Sequence, residues 1–205
     1  MPKQGYHHGN LRQALVEAAL DLIETRGPQG FTLSEAAKSA GVTPAAVYRH
    51  FEGRDDLIAE CARQGYAIFA DLMEHAWAGG QPSALVAFGA VGRAYLAFAR
   101  RFPGHYTAMF EAGLSPNRAP LLAQAAERAE AVMAQAAEAL SRHIPEARRP
   151  PAAMFSAHVW ALSHGVVELY GRAAPGTRAP FSPDDLLETG IGIYLRGLGL
   201  IAADT

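Results

Sequence analysis

The segment from Phe31 to Leu57, FTLSEAAKSAGVTPAAVYRHFEGRDDL, constrains the fold more than any other part of the chain. It reads as two short helices joined by a tight turn, followed by the start of a third. Thr32-Leu33-Ser34-Glu35 is a capping box: the Thr32 hydroxyl accepts from the Glu35 amide while the Glu35 carboxylate reaches back. The first helix, about 33–40, is stopped by Gly41, a residue that takes a left-handed turn at no steric cost. Thr43 is placed to cap the next helix, about 44–50, with Pro44 at its first position, where a missing N–H is harmless. Ala36, Ala37, Ala40, Val42, Val47 and Phe51 supply the small and apolar contacts that let two helices cross closely. A helix-turn-helix of this form places its second helix in the major groove of DNA.

The bulk composition permits this reading without announcing it. The chain has 205 residues, 50% of them hydrophobic and 19% charged, which suits a globular protein with a sizeable core. The formal net charge is −2, and residues 1–60 carry more acids than bases, so any positive face has to come from placement. Cys61 is the single cysteine, which excludes an internal disulfide and fits a reducing cytosol. There is no signal-peptide pattern and no apolar run long enough to span a membrane, so a cytoplasmic location is expected.

Helical periodicity runs through the rest of the chain. Residues 1–9 read as a flexible N-terminal arm, with Asn10 placed to cap a first helix ending near Arg26. Gly27-Pro28-Gln29-Gly30 breaks that helix. A long helix, about 54–78, starts with Asp55 and Asp56 in its first turn, where carboxylates suit the helix dipole. Further helices are expected at about 83–101, 105–112, 117–143, 152–173 and 183–201, the last capped by Ser182 with Pro183 at its first position. No strand pattern occurs. The expected fold is all-α with about nine helices: a three-helix helix-turn-helix domain (10–60) joined by the long helix to a helical bundle (61–205) serving ligand binding and dimerisation.

Thr43, Pro44, Ala45 and Ala46 are short residues that let a helix approach base edges, and Ala can touch a thymine methyl. Ser34 is placed to hydrogen-bond a base or a phosphate. Tyr48, Arg49, His50 and Arg54 are groups able to hold phosphates. The plainer readings are an α-hairpin inside a bundle, a packed Tyr48, and an Arg54–Asp55–Asp56 surface ion cluster.

The first 60 residues resemble the DNA-binding domain of TetR-family transcriptional regulators. The resemblance rests on YHHGNLRQALVEAALDLIETRG, on the FTLSEAAKSAGVTPAAVYRHF core, and on the spacing of Tyr48, Phe51, Arg54 and Leu57. Arg54 stands where the family more often has Lys. The resemblance implies a homodimer reading a palindromic operator, with Ser34, Thr43, Ala45 and Ala46 near bases and Tyr48, His50 and Arg54 near phosphates. VWALSHGVVEL (159–169) and RFPGHYTAMFE (101–111) resemble the class of TetR-like ligand domain marked by a Trp-x3-His-Gly motif.

Trp160 and His164 lie one turn apart on one helix face. With Phe69, Tyr95, His105, Tyr106, Met109 and Phe110 they make a candidate lining for a largely apolar effector pocket, the alternative being a packed core. Gly190, Gly192, Gly197 and Gly199, among Ile191, Ile193, Tyr194, Leu198 and Leu200, suggest that segments 152–173 and 183–201 pair with a second copy as a four-helix interface. His158 and His164 do not share a face, and His7-His8 belongs to the arm, so neither metal nor cofactor is expected. The leading expectation is a ligand-responsive repressor that binds double-stranded DNA and is released by a small-molecule effector. The competing ones are an all-α enzyme, for which no nucleophile–base set or phosphate loop is present, and a DNA-independent interaction module.

Overall fold

The computed structural model describes residues 11–171 and 180–202. The arm at 1–9 and the cap expected at Asn10 lie outside the described residues. Nine α-helices are present among those described: α1 (Leu11–Arg26), α2 (Leu33–Ser39), α3 (Pro44–Val47), α4 (Arg54–Trp77), α5 (Ala84–Arg101), α6 (Pro103–Phe110), α7 (Pro120–Ser141), α8 (Ala152–Val166) and α9 (Pro183–Gly197). No strand occurs among the described residues. None of the helices is long and apolar enough to cross a membrane.

The chain forms two compact units, one of residues 1–66 and 102–126, the other of 67–101 and 127–205. The first therefore extends beyond the helix-turn-helix segment to include the start of α4, all of α6 and the start of α7. Its core is made by Leu15, Val16, Ala19 and Ile23 of α1, Phe31, Ala36 and Ala37 around α2, Val47 and Phe51 around α3, and Leu57, Ile58 and Cys61 of α4. Two glycines let α6 seat tightly here. A Cβ on Gly104 would lie 2.8 Å from the Leu20 carbonyl oxygen, and one on Gly65 would lie 2.7 Å from Met109 Sδ. Neither position has room for a side chain without displacement of its neighbour.

The second unit packs the rest of α4 with α5, α7, α8 and α9. Phe69, Met73, Phe88, Tyr95, Phe98 and Phe155 are its large buried residues. Helix α8 passes into a single π-helical turn at Val167–Gly171. Helix α9 stops at Gly197, short of the 201 expected, because Gly199 turns left-handed at φ +80° and the Leu200 amide donates back to the Leu195 carbonyl.

Candidate nucleic-acid interface and ligand cavity

The α2–α3 turn is built as its residues dictate. The capping box is complete, with the Glu35 amide donating to Thr32 Oγ1 (3.2 Å) and the Thr32 amide donating to Glu35 Oε2 (2.8 Å). Those Thr32 donors, and then Arg26, hold the Glu35 carboxyl below its usual range. Gly41 takes φ +71°, and the Val42 amide donates to the Ala37 carbonyl.

Two local expectations need correction. Thr43 occupies the N-cap position with extended backbone, but its hydroxyl makes no capping hydrogen bond. The Ala46 amide donates instead to the Thr43 carbonyl, at 3.0 Å. The helix expected over 44–50 is α-helical only over Pro44–Val47. Beyond it the amides of Arg49 and His50 donate three residues back, to the carbonyls of Ala46 and Val47, which tightens the chain into turns.

Val47 and Phe51 are 1% and 2% exposed, and they anchor this short element from beneath. Above them Ser34, Thr43, Pro44, Ala45, Arg49 and His50 are exposed and Ala46 is half-buried. Tyr48 is 62% exposed, so its ring does not pack in the core. The turn thus gathers eight of the nine residues expected at a DNA surface and leaves seven of them exposed, with Ala46 half-buried.

Arg54 is the exception. Its Nη2 donates to Gln29 Oε1 at 2.6 Å and to Asp55 Oδ1 at 3.3 Å, and its Nε is buried without a partner. Arg118, from the short 3-10 turn Pro116–Arg118, reaches Asp55 Oδ2 at 3.7 Å. Arg54 is therefore part of an ion cluster at the start of α4, the plainer of its two readings, and a phosphate has to compete with Gln29 and Asp55 for it.

A second network, not visible in the sequence, lies beside this surface. Glu60 of α4 is 7% exposed and is bound by Arg12 of α1 at 2.7 Å, by Arg63 at 2.8 Å and by Gln64 at 3.0 Å. Burial alone raises a carboxyl pKa, but these donors outweigh it and hold Glu60 at about 2. The Arg12 guanidinium also sits 5.1 Å above the Phe51 ring centroid. No local pattern signals a contact between residues this far apart in sequence.

The eight residues expected to line a pocket fall into two groups. His105, Tyr106, Met109 and Phe110 belong to α6 in the first unit. There Tyr106 and Phe110 pack at 4.9 Å between centroids. His105 Nδ1 lies 2.9 Å from the Cys61 carbonyl oxygen, which requires that nitrogen to carry the proton; burial pushes the imidazole below its usual pKa. Burial also pushes the Cys61 thiol up, leaving it unreactive.

Phe69, Tyr95, Trp160 and His164 come together in the second unit. Phe69 lies edge-on to Tyr95 (5.3 Å) and to Trp160 (6.5 Å), and Tyr95 lies edge-on to Trp160 (6.1 Å). The Tyr95 hydroxyl is 3.0 Å from His164 Nδ1, the hydrogen-bonded arrangement of a structural histidine. Phe69 and Tyr95 are at most 1% exposed. A cleft of about 710 Å³ lies elsewhere in this unit, between α5 and α9, and none of the eight residues lines it.

Comparison with known proteins agrees with this architecture. Residues 15–61 match the model of bacterial regulatory proteins of the tetR family. Residues 88–194, more than half of the chain, match the tetracyclin repressor-like C-terminal domain. The chain belongs to the tetR family of bacterial transcriptional regulators, whose DNA-binding element is the helix-turn-helix described above. It is 40% identical over 63 residues to the HTH-type transcriptional regulator BetI of Rhizobium meliloti (strain 1021), a match covering 31% of this chain and 30% of that protein. It is 43% identical over 49 residues to the HTH-type transcriptional regulator AcrR of Shigella flexneri, covering 24% and 23%. These matches span less than a third of either relative. Among solved structures, a protein of unknown function from Rhodococcus sp. RHA1 superimposes with TM-score 0.77 at 26% identity, covering 96% of this chain and 99% of that one. The TetR family transcriptional regulator PfmR from Thermus thermophilus shares the fold, with TM-score 0.70 at 16% identity, covering 90% and 98%.

Proposed function

We propose that this protein is a ligand-responsive repressor that binds a palindromic operator as a homodimer and leaves it when a small molecule occupies the C-terminal unit. The observation that carries the reading is the α2–α3 surface. Short and hydrogen-bonding residues, with Tyr48 beside them, stand exposed over the buried pair Val47 and Phe51. A surface of this kind allows close approach to base edges, with phosphate contacts at its margin.

Dimerisation through 152–173 and 183–201 is supported by exposed apolar groups on both helices. Met154 is 51% exposed and Ile193 is 61% exposed. A Cβ added at Gly165, Gly190 or Gly197 would meet nothing within 4 Å, so these glycines are not needed for packing within the chain. The Trp160–His164–Gly165 arrangement, with His164 bonded to Tyr95, suits the Trp-x3-His-Gly class of ligand domain. Helix α4 contributes residues to both units, which makes it the proposed coupler. A ligand that binds the DNA-incompetent state more tightly shifts the population away from the operator.

The test is a salt titration of operator binding for the wild type, Tyr48→Ala and Arg54→Ala. Each variant is expected to weaken binding, and Arg54→Ala to reduce the salt slope by about one. Unchanged binding in both folded variants removes the phosphate assignment.

A further inference from the structure

Arg54 comes to the expected DNA surface already engaged, and the residue that shares its partner lies far away in sequence. Asp55 presents Oδ1 to Arg54 at 3.3 Å and Oδ2 to Arg118 at 3.7 Å. Local chemistry sets the backbone that carries Arg118. Ser115-Pro116 opens the 3-10 turn Pro116–Arg118, and the Arg118 amide closes it by donating to the Ser115 carbonyl at 3.0 Å. The Arg118 side chain is 46% exposed and takes part in none of the other described ion pairs.

The recess these residues enclose, about 360 Å³, is lined by Glu52, Gly53, Arg54, Asp55, Asp56 and Arg118. Its charged groups are three carboxylates and two guanidiniums, so the surroundings of Arg54 are short of positive charge even with Arg118 in place. The Asp56 carboxylate accepts the Glu52 amide at 3.1 Å, and Asp55 is the carboxylate that holds Arg54. Gln29 holds it too, at 2.6 Å, but as a neutral acceptor. Withdrawing a guanidinium from an amide oxygen leaves no bare charge, whereas withdrawing it from a carboxylate does. Asp55 is therefore the costlier partner for Arg54 to give up, and Arg118 is already in place to keep that carboxylate paired.

We propose that Arg118 is a positioning residue for DNA binding. It holds the Asp55 carboxylate, so that Arg54 turns to a phosphate without leaving an unpaired negative charge beside a polyanion. Arg118 itself touches no phosphate. The proposal rests on the operator-binding reading and adds to it a residue from outside the helix-turn-helix.

The test is operator affinity and its salt dependence for the full chain, read by fluorescence anisotropy on a labelled duplex of the sequence that the wild type enriches from a random pool. An exposed ion pair makes a modest contribution, so Arg118→Ala is expected to raise the Kd about three- to fivefold with the salt slope kept. Its unfolding midpoint is expected to stay at the wild-type value, which separates positioning from stability. Arg118→Lys retains a cation for Asp55 and is expected to bind within about twofold of the wild type. Adding Asp55→Asn to Arg118→Ala is expected to restore affinity. Adding Asp56→Asn, the same charge change one residue along, is not. In the Arg54→Ala background Arg118→Ala is expected to have no further effect. Wild-type affinity in Arg118→Ala, or its full effect in the Arg54→Ala background, overturns the positioning role and leaves the operator reading standing. So does a salt slope that falls by about one in Arg118→Ala, which makes Arg118 a phosphate contact, or equal rescue by Asp55→Asn and Asp56→Asn, which makes net charge the cause. A wild type that enriches no sequence, or binds duplex without salt dependence, removes the operator reading and the proposal with it.

Discussion

The two units use their aromatic residues in opposite ways. In the first, the candidate surface combines short exposed residues with the exposed ring of Tyr48, and Phe51 is hidden beneath it as an anchor. In the second, the aromatics Phe69, Tyr95 and Trp160 meet edge to face, and the open volume lies apart from them, between α5 and α9, on a floor of Phe88, Leu96, Leu187 and Leu195. Richness in aromatics is therefore a poor guide to where the open volume lies in this molecule, since the cleft between α5 and α9 lies apart from that cluster. In the first unit Phe51 holds a surface in place, and in the second Phe69, Tyr95 and Trp160 pack edge to face with one another.

The largest expected effect tests the anchor. Phe51→Ala is expected to cost about 3–5 kcal/mol of unfolding free energy, because a fully buried ring is lost together with its cation–π partner Arg12. Denaturant unfolding measures it. A cost below about 1 kcal/mol would show that the surface is not held from beneath.

Next comes the Glu60 network. Glu60→Gln is expected to cost about 2 kcal/mol, since Arg12 and Arg63 lose a buried carboxylate partner. The pH dependence follows from the depressed pKa. The Glu60 contribution is fully present above the ordinary carboxyl value of 4.5 and is lost as pH falls towards about 2. The wild type should lose stability across that window and Glu60→Gln should lose less, as followed by thermal unfolding at stepped pH.

The smallest effect separates two caps of the same sequence type. The Ser182 hydroxyl accepts from the Asp185 amide at 3.0 Å, whereas Thr43 makes no such bond. Ser182→Ala is expected to cost about 1 kcal/mol. Thr43→Ala is expected to change stability by less than about 0.5 kcal/mol and to weaken operator binding instead. Equal stability losses in the two variants would erase the distinction between a structural hydroxyl and one left for DNA.

Local chemistry explains how far the sequence could be read. The Thr32–Glu35 box, the left-handed Gly41 and the Ser182 cap depend on residues within a few positions of one another, and each appears in the structure as its pattern implies. The nine-helix, all-α arrangement follows from the same kind of signal. The silent Thr43 hydroxyl was not legible, because Thr43-Pro44 and Ser182-Pro183 present the same local pattern and only the second makes the bond. Contacts such as Arg12–Glu60, Arg54–Gln29 and Arg118–Asp55 join distant segments and carry no periodic signature. The division of the aromatics between α6 and the α5–α8 cluster, and the cleft lined by Gly89 and Gly192, arise only when helices are packed in a definite register.

The central claim is that the surface around Thr43, Ala45 and Tyr48 reads duplex DNA in two symmetric copies. Selection of bound sequences from a random duplex pool by the full chain tests it most directly. The expected product is an inverted repeat whose half-site centres lie about 10 base pairs apart or a multiple of that, bound with a steep inverse dependence on salt. A pool that emerges without sequence enrichment, or an enriched site lacking two-fold symmetry, contradicts the account.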